Sequence, residues 1–147
     1  HIVEAKATYI YEDAKLRASS NPLLAAAANP SDRLNTFRFN ASYTFDNTYT
    51  FTAGYSTIWG TTDLGRMALD PVGGSRTGSP DSNAYSVEFD WVPFGKTGSY
   101  LAPWYNARVG LSYTGYTKFN GSSHNYDGNG RNASDNNTLL LNLWFFM

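Results

Sequence analysis

Glu88 and Asp90 stand two residues apart in the stretch AYSVEFDW, and Arg108 follows in YNARVGLSY. Alternating side chains point to the same side of a β-strand, so on a strand the two carboxylates share a face, roughly 6.5–7 Å apart. A guanidinium on the same face of the next strand would pair with one of them. Such a cluster would tune ion selectivity if it lines a water-filled path. The plainer alternative is a mutually satisfied ion-pair network filling an interior. Arg38, with Glu4, Lys6 and Glu12, belongs to the same mixed-sign face. An acid/base role for the two carboxylates is conceivable from their spacing alone, but no further motif accompanies it.

The segment from Asp127 to Asn136, DGNGRNASDN, offers side-chain oxygens at short intervals. Asp127, Asn129 and Asp135 are the candidate ligands for calcium, which favours oxygens in glycine-bearing loops. The spacing is not that of an EF-hand, because Arg131 falls where a ligand is wanted and no Glu closes the loop. Asn/Asp/Gly loops are more commonly turns whose side chains bond their own backbone. His124, Ser134 and Asp135 share this loop, yet no nucleophile elbow surrounds the serine. The chain is expected not to be an enzyme.

The elements that must carry these residues are strands. In APWYNARVGLSYTGYTK (102–118), Tyr105, Ala107, Val109, Leu111 and Tyr113 alternate with Asn106, Arg108, Gly110, Ser112 and Thr114. One face is apolar and the other small or polar, which is the period of a strand. The same alternation runs through His1–Glu12, Asn35–Asp46, Thr48–Trp59 and Ala84–Phe94. At Thr138–Met147, Leu139, Leu141, Leu143 and Phe145 oppose Leu140, Asn142, Trp144 and Phe146. Asp46-Asn47 is a tight-turn pair. Gly95–Tyr100 reads as a second short turn. Long connections are expected at about 13–34, 60–83 and 119–137, with Asn21-Pro22 and Asn29-Pro30 as turn formers and a short helix over Leu23–Ala28.

The 147-residue chain is thus expected to be one all-β domain. It is an antiparallel up-and-down meander of about six strands of about ten residues. Aromatic residues make up 16% and charged residues only 16%, against an ordinary charged share of roughly 25%. The formal charge of −1 gives no electrostatic case for nucleic acid. The absence of cysteine excludes disulfides, thiolate metal sites and covalent haem attachment in this chain. No apolar run reaches the roughly 18 residues of a transmembrane helix. The mean hydropathy of −0.42 is compatible with a membrane barrel, whose strands are half apolar. The sequence opens on His1 without a signal-peptide pattern, so a processed product or a fragment is expected.

Alternate connections of a meander lie at the same end. Long loops on one side and tight turns on the other are the pattern of a transmembrane β-barrel. Aromatics cluster accordingly: Tyr11, Phe37, Trp59, Tyr85 and Tyr113 toward the long loops, and Phe45, Tyr49, Trp91, Tyr105 and Phe145 toward the turns. Two such rows suit the interfacial levels of a bilayer. A soluble β-sandwich also alternates, but its outer face carries Lys and Glu rather than Thr, Ser, Asn and Gly. A soluble edge strand ending in consecutive aromatics would be an aggregation hazard. Single-chain outer-membrane barrels begin at about eight strands. Six strands therefore imply either the C-terminal part of a larger barrel or several copies that pool strands. In the second case the chain is a structural or interaction protein, a homo-oligomer built into a ring or filament.

The blocks NTFRFNASYTF, GSPDSNAYSVEFDWVPFGK, APWYNARVGLSYTGYTKFNG and NYDGNGRNASDNNTLLLNLWFF resemble the C-terminal part of a proteobacterial, porin-like outer-membrane β-barrel family. Genes for that family often lie beside those for c-type cytochromes. The resemblance covers most of the chain from Asn35 onward. It implies a Gram-negative outer membrane with its lipid as surroundings, assembly by the barrel-insertion machinery, and a pore or conduit role with a c-type cytochrome as partner. Outer-membrane assembly signals usually end in an aromatic residue, whereas here Phe146 is followed by Met147.

Overall fold

The computed structural model describes residues 1–15, 29–65, 67, 73–95 and 104–146. Six strands follow one another: β1 (Ile2–Lys15), β2 (Ser31–Phe45), β3 (Tyr49–Gly60), β4 (Ser82–Trp91), β5 (Asn106–Lys118) and β6 (Thr138–Phe146). They form one antiparallel sheet in sequence order, β1-β2-β3-β4-β5-β6. The sheet is not closed. Among the described residues each strand touches only its neighbours in sequence, and the one other element, a short 3-10 helix at Ala133–Asn136, rests on β5.

The turn between β2 and β3 follows from two residues that tolerate left-handed backbone. Asp46 and Asn47 sit at φ 51° and 49°, and Thr48 N–H closes on the Phe45 carbonyl at 3.0 Å. Positive φ at both central positions is what a type I′ hairpin turn demands, and it matches the twist of the strands.

Three expected boundaries move. β1 runs on to Lys15 and β2 begins at Ser31, so the first connection is shorter than 13–34. Opposed charges extend that ladder: Asp13 faces Arg33, with their side chains 3.7 Å apart. β4 ends at Trp91 and β5 begins at Asn106, which sets the strand limits at this connection wider than the expected short turn at Gly95–Tyr100, most of which lies outside the described residues. Pro93, just past the end of β4, has no N–H to donate to a ladder. The helix expected over Leu23–Ala28, and Asn21-Pro22, lie outside the described residues.

The register lays one apolar row after another across the sheet. Val3, Tyr43, Phe51, Phe89, Leu111 and Leu141 stand side by side. They are between 43% and 75% exposed. Below them run Phe45, Tyr49, Trp91, Val109 and Leu143, and Tyr105 stacks on Phe145 at 6.4 Å. Tyr11 and Trp59 share the row of Asn35 toward the other end. Tyr85 and Tyr113, expected near that end, lie at mid-strand opposite Tyr55 and Val87. The β4–β5 pairing shifts between Asn83, opposite Lys118, and Ala84, opposite Tyr116, which leaves Thr117 as a bulge.

Only Ala84, Tyr126 and Ala133 are buried apolar residues among those described. The accessible surface of 9790 Å² exceeds the roughly 7,500 Å² expected of a compact chain of this mass. Burying a large apolar side chain is worth about 1.5–3 kcal/mol. A whole face left bare in water would forfeit on the order of tens of kcal/mol.

Candidate functional site

The opposite face is polar across β2–β5. The register builds it in rows. One contains Thr44, Thr50, Asp90, Gly110 and Asn142, and the next contains Glu4, Ser42, Thr52, Glu88, Ser112 and Leu140. β6 departs from the pattern, because Leu140, Trp144 and Phe146 make it apolar on both faces.

Arg108 binds both carboxylates rather than one. Its Nε donates to Asp90 Oδ1 at 2.8 Å and its Nη2 to Asp90 Oδ2 at 2.7 Å, while the same Nη2 reaches Glu88 Oε1 at 3.1 Å. The two parallel bonds to Asp90 match the planar fork of a guanidinium to a carboxylate, the strongest form of this pairing. Asp90 is nearly buried, with 5% of its side chain exposed, while Arg108 and Glu88 keep 42% and 36%. One guanidinium between two carboxylates leaves a single net negative charge on this patch.

Gly110 makes the arrangement possible. It lies directly opposite Asp90, and a Cβ there would come within 2.6 Å of Asp90 Oδ1. The missing side chain lets the carboxylate lie flat against β5 and meet Arg108. Gly110 sits on the polar face by alternation, but its partnership with Asp90 depends on register and could not be read from the strand alone.

Arg38 lies apart from this cluster, on the row Thr8, Arg38, Ser56, Ala84 and Tyr116. It borders a hollow of about 280 Å³ shared with Asn40, Ser56, Ser86 and Tyr116. Of the four residues expected to share one charged lining, the structure thus joins Glu88, Asp90 and Arg108 and places Arg38 elsewhere on the same face.

The calcium candidates serve the loop backbone. Asp127 is fully buried, and its Oδ1 accepts N–H bonds from Asn129 at 2.9 Å and Arg131 at 3.1 Å. Its Oδ2 and the Nε of Arg131 are buried with no hydrogen-bond partner. The Asn129 amide donates to the Asp127 carbonyl at 3.5 Å. Asp135 Oδ2 accepts from Asn132 N–H at 2.8 Å and caps the 3-10 helix. Among the described residues no group of three or more His, Asp or Glu is arranged to hold a metal ion. The exposed His124 has its Nδ1 2.9 Å from Ser123 Oγ, and Ser134 and Asp135 belong to the 3-10 helix.

Two carboxyls support the long loops, Asp81 by tying one to strand ends and Asp127 from within its own loop. Asp81 accepts from Lys118 Nζ at 2.9 Å and from Gly60 N–H at 3.3 Å. Desolvation opposes the charged form of both Asp81 and Asp127. Lys118 and Gly60 outweigh it at Asp81, and the N–H groups of Asn129 and Arg131 outweigh it at Asp127, so both carboxyls titrate below their ordinary value. The folded loops therefore bind fewer protons than the unfolded ones. Their stabilisation is complete above the unfolded carboxyl value of about 3.9 and is lost as pH falls through the lower folded values. Amide exchange across 119–137 is expected to stay slow from pH 7 to about pH 4 and to quicken below that relative to β3. Loop protection that does not weaken relative to β3 would remove these carboxylates from the loop's support.

No protein-family model matches the chain, and neither a curated protein nor a solved structure does.

Proposed function

We propose that this sheet is part of the wall of an outer-membrane β-barrel that provides a path across the bilayer. Its apolar face would meet lipid and its polar face would line the lumen. The observation that carries the reading is a single-layer sheet with one bare, continuous apolar face and an opposite face of Thr, Ser, Asn, Gly and ion pairs. The dimensions agree. From the Phe45 row to the row of Tyr11 and Trp59 is ten residues of β2, roughly 34 Å along the strand. At a tilt of about 40° the span across the membrane is roughly 26 Å, against an apolar band of about 25 Å in such barrels. Cytochrome association rests on the family resemblance of the sequence blocks.

Arg108 is the residue through which the lining is tested. Protein reconstituted in a planar bilayer is expected to conduct. Arg108→Glu changes the local charge from one net negative to three, and is expected to raise the cation-to-anion permeability ratio several-fold. Unchanged selectivity in a conducting variant would remove Arg108 from the lining, and failure to conduct would overturn the pore.

A second reading has its own observation. β1 and β6 each have one unpaired edge, and with an even number of strands they run antiparallel. Copies could then join β6 to β1 head to tail, with the β1–β2, β3–β4 and β5–β6 connections of every copy on the same side, and close a ring. Unboiled protein migrating at a multiple of 16.3 kDa and collapsing on boiling would favour that ring.

A further inference from the structure

The polar face holds a second charged region, centred on Arg38, with acids only two rows away, at Glu4 and Glu88 on one side and Glu12 on the other. Arg38 shares its row with Thr8, Ser56, Ala84 and Tyr116. The adjacent row on one side is Lys6, Asn40, Gly54, Ser86, Thr114 and Thr138, and on the other Ile10, Thr36, Ile58 and Ser82. None of these three rows contains Asp or Glu, while two carry a cation.

The shape fits a ligand. Between Arg38 on β2 and Tyr116 on β5 lie only Ser56 and Ala84, so the floor is low and its ends are tall. Three strand spacings separate those ends, roughly 14 Å. Gly54 deepens the floor: a Cβ there would approach Ser86 Oγ to 2.7 Å, so the amide of Asn40 lies across the gap instead. The resulting hollow of about 280 Å³ is edged by one guanidinium, one amide, serine hydroxyls and a phenol. A guanidinium takes a carboxylate or phosphate through two parallel bonds, and the amide and hydroxyls suit the hydroxyl groups of a sugar-like body.

We infer that this hollow, with Arg38 as its anchor and Lys6 beside it, is a binding site for small hydroxylated organic anions. The inference rests on the reading of the polar face as a lumen, where such a site would hold an anionic solute in transit. The Glu88–Asp90–Arg108 patch, of opposite sign, begins in the row next to Lys6 and Ser86.

Calorimetric titration of the full chain in detergent with gluconate tests the site without requiring conduction. Saturable binding is expected. Arg38→Gln, which removes a charge-assisted pair, is expected to weaken it about tenfold to a hundredfold, and Arg38→Lys to weaken it less. Arg33→Gln, which removes a cation near the start of β2, is expected to leave it unchanged. Absent binding, or binding indifferent to Arg38→Gln, overturns the site even where the protein conducts in a bilayer. Binding dependent on Arg38 in a protein that does not conduct sustains the site and overturns the pore.

Discussion

Val87→Arg is expected to destabilise the protein in lipid vesicles by about 2–4 kcal/mol, the cost of a cation near the bilayer midplane on a barrel's lipid face. Val87 lies in the row of Ala5, Ala41, Ala53, Tyr113 and Leu139, midway between the two aromatic ends. Val109→Arg makes the same chemical change in the row of Phe45, Tyr49 and Trp91, at the level assigned to the interface. There the long side chain reaches the headgroups, and the cost falls to about 0–1 kcal/mol. Reversible denaturant unfolding in vesicles measures both. A depth-dependent difference is the signature of a bilayer. Equal costs would place the two valines against water or a protein surface.

Tyr126→Ala is expected to cost about 3–5 kcal/mol of local stability, the range for deleting a buried aromatic side chain. Tyr126 is fully buried in an otherwise polar loop. Its ring meets Phe119 edge-on at 4.9 Å, and Phe119 in turn meets Tyr116 at 5.2 Å. Its backbone joins two loops: its N–H donates to the Arg131 carbonyl at 2.9 Å and its carbonyl accepts from Arg76 N–H at 2.6 Å. The Tyr126 hydroxyl also donates to Asn136 Oδ1 at 3.3 Å. Tyr126→Phe keeps the ring and removes that bond, at about 1 kcal/mol. Amide exchange over 119–137 and 73–78 is expected to quicken sharply in Tyr126→Ala while β2 and β3 keep their protection. Unchanged loop exchange would mean that the ring does not hold the two loops together.

The strands were legible because each segment carries its own two-residue period. Phe37, Phe39, Ala41, Tyr43 and Phe45 announce β2 without reference to any partner. The turn at Asp46-Asn47 was legible for the same reason, since left-handed backbone is a local demand. What depends on two segments meeting was not. Whether Asp90 faces Gly110 or a bulkier neighbour is fixed by register, and the bulge at Thr117 alters that register without a mark in the alternation. The alternation placed Arg108 near the carboxylates but did not reveal that it would hold both. The packing of Arg76 on Asn125 and Tyr126 joins loops far apart in sequence, and neither loop alone signals it. The start of β5 is not legible from alternation, because Tyr105 continues the apolar face before the strand's start at Asn106.

The absence of cysteine makes the most direct measurement a clean one. Single substitutions Val109→Cys, Leu111→Cys and Tyr113→Cys place a spin label on the apolar face of β5, and Ser112→Cys and Thr114→Cys place one on the polar face. In vesicles, the first three labels are expected to relax with oxygen, which concentrates in lipid. The other two are expected to relax with a water-soluble nickel chelate, giving a strict two-residue alternation. Chelate access to both faces, or no alternation, would contradict a sheet whose one face meets lipid and whose other lines water.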